Sequence, residues 1–160
     1  MAAGRFTAMV GMLVWRRSDG RYLLLRRSES RDYGAGEWES CSGRLEQGEG
    51  FLQAVRRESR EELGLDVRVE CILGTTHFYR GAAEPGNETV GVSFGCSADD
   101  GSGLALSDEH SEHRWATAAE AATFLPSGHW LHAAIGRAEA FRTLMPVALS
   151  EFYRKGDFEL

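Results

Sequence analysis

The sequence has few cysteines, no long apolar run and no excess of positive charge. Its cysteines, Cys41, Cys71 and Cys96, are odd in number and widely spaced, so they indicate neither a disulfide framework nor a paired Cys-x-x-Cys zinc site. No apolar run approaches the roughly 18 residues of a membrane-spanning helix, and the first residues lack the charged-then-apolar pattern of a secretory signal. We therefore expect a protein of the reducing cytoplasm with no membrane partner.

The charge balance bounds the class of binding partner. The formal net charge is −6 and the isoelectric point is about 5.4, which argues against general attraction to a nucleic-acid backbone. A local group of arginines is still able to hold a phosphate. We expect a small-molecule partner and no nucleic acid, and the sequence leaves the oligomeric state open, a homodimer included.

The length bounds the number of domains. A chain of 160 residues with 42% apolar content is long enough for one substantial core, whereas two independent domains would each be marginal. We therefore predict a single domain over residues 1–160, with a loose tail at residues 155–160.

Residues 43–64 predict a glycine-rich loop that leads into a helix. The stretch from Glu49 to Leu63 contains no proline and only one early glycine, and Gly64 stands where a helix stop is expected. One face carries a stripe at steps of three and four residues, formed by Leu52, Val55, Ser59 and Leu63. The adjoining face carries Glu58, Glu61 and Glu62.

This acidic face needs a cause other than folding. Like charges one turn apart weaken a helix by ~0.2–0.5 kcal/mol per pair, and the helix dipole disfavours anions near the C-terminal end. Carboxylate oxygens are the ligands that hard divalent cations such as Mg²⁺ prefer. The alternative is a solvated charged face, partly neutralised by Arg56, Arg57 and Arg60.

The spacing decides between these interpretations. From Gly43 to Gly64 the chain reads G-x5-E-x7-R-E-x2-E-E-x-G, which resembles the box of the Nudix (MutT-like) hydrolases at every fixed Gly, Glu and Arg position. It departs in two places. Ser59 stands where Nudix proteins usually carry an aliphatic residue, and Cys41-Ser42 precede Gly43 where many members have Pro-Gly.

The resemblance implies a fold and an activity. Over residues 6 to about 145 it implies an α/β/α sandwich with a mixed sheet between helices. It also implies a hydrolase, dependent on Mg²⁺ or Mn²⁺, that cleaves a phosphoanhydride bond of a nucleoside diphosphate linked to another moiety. Nucleoside triphosphates, oxidised ones included, are favoured over dinucleoside polyphosphates and nucleotide sugars. A nucleotide-sensing Nudix module without catalysis is the other alternative, and it would be expected to lose box carboxylates.

Roles follow from the same resemblance. The metal ligands are the carbonyl of Ser42 with Glu61 and Glu62, and Glu49 is in reach through a water. Glu58 and Glu109 each serve as ligand or general base, because hydrolysis of a phosphoanhydride needs a carboxylate to take the proton of the attacking water. Arg57 is expected to orient the carboxylates by ion pairing.

Alternatives stay open at other positions. Arg27 matches an arginine that contacts substrate phosphate in some Nudix enzymes, but it also suits a charged strand exit. His110 and His113 suit hydrogen-bonding or surface roles better than Mg²⁺ ligation. Trp38 is expected to anchor its loop by burial, and Phe78 with Tyr79 to pack in the core rather than stack on a base.

The remaining pattern predicts further elements. Residues 6–15 and 21–27 predict an antiparallel hairpin, and residues 67–79 and 89–96 predict two more strands. The second has a face of small residues, formed by Thr89, Gly91, Ser93 and Gly95, which favours a packed helix over a substrate base. Thr117 and Glu120 form a capping box. A helix over residues 129–145 should cover the sheet face opposite the acidic helix, with the apolar stripe Trp130, Ala134, Ala138, Phe141 and Met145.

Overall fold

The computed structural model describes residues 4–156, 158 and 159. Its strands are β1 (Thr7–Arg16), β2 (Tyr22–Arg27), β3 (Trp38–Glu39), β4 (Cys41–Arg44), β5 (Arg68–Tyr79), β6 (Glu88–Ala98) and β7 (His110–Ala116). Its α-helices are α1 (Phe51–Leu63), α2 (Ala118–Phe124), α3 (Trp130–Leu144) and α4 (Val147–Lys155), and a short 3₁₀ turn covers Pro85–Asn87. In the described part of the chain, no helix has the length and apolar character needed to cross a membrane.

One mixed sheet connects all seven strands. β1 runs parallel to β6 along its whole length, and β6 pairs antiparallel with β5. β1 and β2 form the predicted hairpin, but their pairing is limited to Trp15 and Tyr22. The prediction of a mixed sheet between helices is confirmed.

The hairpin opens into a fork beyond Trp15 and Tyr22. β4 takes the free edge of β1, with Ser42 opposite Gly11, and β3 takes the free edge of β2, with Glu39 opposite Leu25. The chain therefore crosses from one arm of the fork to the other at Ser40. This crossing places the end of β2 close to Gly43, where the glycine-rich loop begins.

The sheet separates two apolar layers. Alternate residues of β1, namely Val10, Met12 and Val14, pack on α1, whereas Leu13 and Trp15 pack on α3. α3 thus covers the face opposite α1, as predicted. Its stripe differs from the predicted one, because Leu131, Ile135 and Ala138 are buried while Trp130 is 52% exposed. His129 caps the helix through the amide of Leu131 at 3.3 Å, so Trp130 begins the first turn at the surface.

The ends of α1 and α2 follow local signals. Gly64 adopts φ +66° at the C-terminus of α1, a left-handed conformation that favours glycine. Thr117 and Glu120 form the predicted capping box of α2. Ser59 is fully buried in the apolar stripe of α1, where its hydroxyl donates to the carbonyl of Arg56 at 3.1 Å.

The end of the chain differs from the predicted loose tail. α4 was not predicted, and beyond it Phe158 packs against Phe94 and Tyr153 at ring-centroid distances of 5.9 and 5.3 Å. Gly156 adopts φ +80° after α4, so the chain turns back towards the core. Asp157 and Leu160, which also belong to the predicted tail, lie outside the described residues.

Candidate active site

Arg57 is the centre of the acidic face of α1. Its guanidinium donates to both carboxylate oxygens of Glu49 at 2.9 and 2.8 Å, to Glu58 at 2.8 Å and to Glu61 at 3.1 Å. It also donates to the carbonyl of Arg44 at 2.8 Å, which ties the helix to the glycine-rich loop. The hydrogen bonds from Arg57 lower the pKa of Glu49. Three of the predicted metal ligands therefore share one guanidinium.

Glu58 is held between α1 and β4. Although Glu58 belongs to the acidic face of α1, it is only 8% exposed, because its side chain lies under Gly43. A Cβ atom on Gly43 would overlap the Glu58 carboxylate, so only glycine leaves room for it. Burial raises the pKa of Glu58, while the hydrogen bond and charge of Arg57 oppose that rise.

Glu62 is the most deeply buried of the box carboxylates. It is 6% exposed, and the thiol of Cys41 donates to its Oε2 at 3.1 Å. Burial is the main cause that raises the pKa of Glu62 to about 7. Burial also raises the pKa of the Cys41 thiol, so that the thiol keeps the proton it donates. Cys41 stands where many Nudix proteins have proline, and the sequence did not predict its contact with Glu62.

Glu109 reaches the same region from the loop before β7. Its carboxylate pairs with Arg31 at 2.9 Å, and its carbonyl accepts from the amide of Ser28 at 2.8 Å. Its negative charge contributes to the raised pKa of both Glu58 and Glu62. Glu109 is therefore close enough to Glu58 and Glu62 for its charge to act on both.

The predicted ligands are neighbours but do not converge on one point. Among residues 4–156, 158 and 159, no three His, Cys, Asp or Glu side chains are arranged to hold a metal ion. The carboxylates face Arg57, Cys41 and Arg31 instead, and Glu61 is 59% exposed at its side chain. The donors are nonetheless hard oxygens, and the buried Glu62 would gain a compensating charge from a cation. The residues present therefore fit a hard divalent ion.

A cavity of about 570 Å³ lies on the other side of β4 from these carboxylates. Small residues leave its space, among them Gly11, Ser42, Gly74 and Ser93. Its aromatic lining comprises Tyr33, Trp38, Phe78 and Trp130. Sequence reasoning favoured a packed helix over the small-residue face of β6. At Ser93 the cavity lies between that strand and α3, which contributes Trp130 and Ala134 to the lining.

Two aromatic side chains, Trp38 and Phe78, line the cavity. Phe78 was expected in the core, but it stacks on Tyr33 at 6.4 Å beside the cavity and is only partly buried. Trp38 packs on Phe124 at 5.0 Å, which agrees with a loop anchor, but it lines the cavity as well. Both side chains therefore present aromatic surface to the cavity.

Arg27 lies in the wall of this cavity and is only 8% exposed. Its Nη1 donates to Glu39 at 2.8 Å and its Nε donates to the carbonyl of Tyr33 at 2.9 Å, whereas its buried Nη2 has no hydrogen-bond partner. Glu39 also pairs with Nε2 of His110 at 2.9 Å. His110 thus has the expected hydrogen-bonding role, and His113 is exposed.

Sequence reasoning missed Glu39. Its signal is weak, because the residue lies in a two-residue strand and belongs to no motif. It becomes important only because the fork places it between Arg27 of β2 and His110 of β7.

Comparison with known proteins adds a family match. The NUDIX domain family model matches residues 5–136. The chain is 31% identical over 120 residues to an octanoyltransferase of Myxococcus xanthus, a match that covers 75% of this chain and 33% of that protein. It is 45% identical over 47 residues to the nucleoside triphosphatase NudI of Escherichia coli, covering 29% of this chain and 33% of NudI. The matched regions span about a third of these curated relatives.

Solved structures share the fold. The crystal structure of the MutT protein from Methanosarcina mazei Go1 superimposes with a TM-score of 0.69 at 24% identity, over 89% of this chain and 99% of that one. At this identity the similarity shows the fold alone.

Proposed function

Because the chain belongs to the NUDIX domain family, we propose that it is a divalent-metal-dependent hydrolase of a phosphoanhydride bond in a nucleoside diphosphate linked to another moiety. The observation that carries this proposal is the complete set of box carboxylates, of which Glu49, Glu58 and Glu61 contact Arg57 while Glu62 lies buried against Cys41. A nucleotide sensor without catalysis would be expected to lose some of these carboxylates, and this chain retains them all.

The acidic residues supply the ligands for Mg²⁺ or Mn²⁺. We assign the carbonyl of Ser42 and the carboxylates of Glu49, Glu58, Glu61, Glu62 and Glu109 to this role. The bound ion would neutralise phosphate oxygens and make a water molecule more acidic. Arg57 holds Glu49, Glu58 and Glu61 close together and oriented before an ion arrives, since its guanidinium contacts all three.

Glu58 is our first choice as the general base. Burial raises its pKa above the ordinary value of a glutamate, against the opposing effect of Arg57, and a more basic carboxylate is a better proton acceptor. Gly43 on one side and Arg57 on the other fix its position. Glu109 is the rival candidate, because it lies beside the same carboxylates and is partly accessible, with a side-chain exposure of 35%.

The cavity is the proposed site of the nucleoside. Its volume of about 570 Å³ falls within the range of small-molecule pockets. A base would stack against the aromatic lining, of which Trp38 and Phe78 are parts. Arg27 has an unpartnered nitrogen for a phosphate or base oxygen, and burial makes that bond stronger than it would be in water.

The proposed substrate is a nucleoside triphosphate, oxidised ones included. The small floor of Gly11, Gly74 and Ser93 suits a flat ring, and the carboxylates lie across β4 from it.

We place the protein in the cytoplasm, because its three cysteines are free and buried, as expected in a reducing compartment. Its partner in this proposal is the nucleotide, with no nucleic acid or membrane involved.

The test is a hydrolysis screen of nucleoside triphosphates, dinucleoside polyphosphates and nucleotide sugars. Phosphate and pyrophosphate release would be measured with Mg²⁺, with Mn²⁺ and with EDTA. We expect turnover only with metal and with triphosphates highest. Glu151→Gln, a charge change on the exposed face of α4, is the control that should keep wild-type activity. Robust turnover in EDTA would contradict the metal mechanism.

A further inference from the structure

The first turn of α1 has no cap from its own neighbourhood. Gly50 stands at the N-cap, where Ser, Thr, Asp or Asn would accept bonds from first-turn amides, and no acidic residue lies in that turn. The side chain of Gln53 accepts from the amide of Gly50 at 3.0 Å, which satisfies the loop but not the helix amides that follow. The amides of Phe51 and Leu52 therefore need an acceptor from elsewhere.

Glu159 supplies that acceptor from the far end of the described chain. Its carboxylate accepts hydrogen bonds from the backbone amides of Phe51 and Leu52, the second at 3.0 Å. A negative charge at a helix N-terminus is also favoured by the helix dipole. A Cβ atom on Gly50 would overlap the Glu159 carboxylate, so the glycine leaves the room that this side chain fills.

Glu159 is held in place by the elements around it. Arg154 of α4 donates to Glu70 at 2.9 Å, and Glu70 is only 8% exposed and also accepts from Ser97. Phe158 packs between Phe94 and Tyr153. The cap is therefore attached to the core by an ion pair between the partly exposed Arg154 and the buried carboxylate of Glu70, and by an aromatic contact.

The cap lies next to the loop that carries a candidate metal ligand. Glu49 directly precedes Gly50, accepts from the amide of Glu46 at 3.0 Å and binds Arg57 with both oxygens. Arg57 in turn holds Glu58. A contact that fixes the first turn of α1 thus also fixes the position of Glu49, which lies just before that turn. Because Arg57 binds both Glu49 and Glu58, the same contact helps to position Glu58.

We propose that Glu159 is a positioning residue for the metal-binding carboxylates, acting through the first-turn amides of α1. This inference rests on the proposed function, since it takes Glu49 and Glu58 as metal ligands. Glu159 itself does not touch the ion or the substrate. Its loss should weaken metal binding without removing any ligand.

The experiment compares full-length Glu159→Ala and Glu159→Gln with wild type. Glu151→Gln is the matched control, because it makes the same charge change as Glu159→Gln on the exposed face of α4. Amide hydrogen exchange is measured at Phe51 and Leu52 without metal, and the affinity for Mn²⁺ is measured by titration. Loss of a helix cap usually costs about 0.5–2 kcal/mol. At 1.36 kcal/mol per factor of ten, this corresponds to a change of about twofold to thirtyfold in an equilibrium constant.

We expect Glu159→Ala to speed exchange at both amides by a factor in that range and to weaken Mn²⁺ binding by up to the same factor. Glu159→Gln, which keeps an oxygen acceptor but loses the charge, should fall between Glu159→Ala and wild type. Unchanged exchange would show that the cap does not form in solution. Faster exchange with unchanged Mn²⁺ affinity would show a structural cap only. Either result overturns the proposed role of Glu159 and leaves the proposed function standing. If wild type bound no Mn²⁺, both the role of Glu159 and the proposed function would be overturned.

Discussion

Replacing Arg57 by Gln should test the centre of the candidate site directly. The substitution removes the cation that binds Glu49, Glu58 and Glu61 and leaves these carboxylates to repel one another. The side chain of Arg57 is 23% exposed, and those of Glu49 and Glu58 are 11% and 10% exposed. The lost interactions are therefore neither fully buried nor at the surface.

The expected cost lies between two limits. Removing one partner of a buried ion pair costs about 3–5 kcal/mol, whereas an exposed pair contributes about 0–1 kcal/mol. We expect Arg57→Gln to lower the free energy of unfolding by about 2–3 kcal/mol without metal. For a domain of this size that corresponds to about 4–12 °C in melting temperature. Saturating Mn²⁺ should stabilise the variant more than wild type, because the ion no longer competes with the guanidinium.

Thermal melts with Mn²⁺ and with EDTA measure both effects. Arg56→Gln is the matched control, since Arg56 is the exposed neighbour on the same helix and its loss should change stability by no more than about 0.5 kcal/mol. If Arg57→Gln and Arg56→Gln had the same melting temperature in EDTA, the carboxylates would not depend on Arg57, and the reasoning about this cluster would be wrong.

Three further predictions concern the carboxylates themselves. Because the pKa of Glu62 is raised to about 7 from 4.5 in the folded protein, its contribution to stability is full below pH 4.5 and is lost as the pH rises through 7. That loss amounts to about 3 kcal/mol. The free energy of unfolding in urea without metal should therefore fall with rising pH by about this amount more in wild type than in Glu62→Gln. Equal pH profiles of the two proteins would contradict the prediction. Glu61→Gln should melt close to wild type in EDTA, because the loss of its exposed pair with Arg57 is offset by the loss of a like-charge contact. It should gain much less stability from Mn²⁺ in the same melts, and a full gain would exclude Glu61 as a ligand. Glu58→Gln should lower kcat by ~10²–10⁴ in the best substrate assay and Glu109→Gln should lower it less, and the reverse order would exchange their roles.

The sequence by itself determined the local elements and the identity of the acidic residues. The spacing from Gly43 to Gly64 predicts α1, its buried stripe and its stop at Gly64, because helix periodicity and capping depend on neighbours in the chain. The same holds for the capping box of α2 and for the hairpin of β1 and β2. Strand alternation and the Nudix resemblance were enough for a mixed sheet between helices.

Only the tertiary structure decided which residues surround the carboxylates. Cys41 meets Glu62 and Gly43 covers Glu58 because β4 packs under α1, a contact that no motif records. Glu39 joins Arg27 to His110 because the hairpin opens and β3 takes the free edge of β2.

The end of the chain shows the same limit most clearly. Residues 155–160 have no strong periodicity, so a loose tail was the natural prediction. Phe158 and Glu159 nevertheless contact the core and the start of α1, and the amides that Glu159 binds are 108 and 107 positions away in the sequence. Contacts of this kind depend on how α4 packs on the sheet, and local propensity carries no information about that packing.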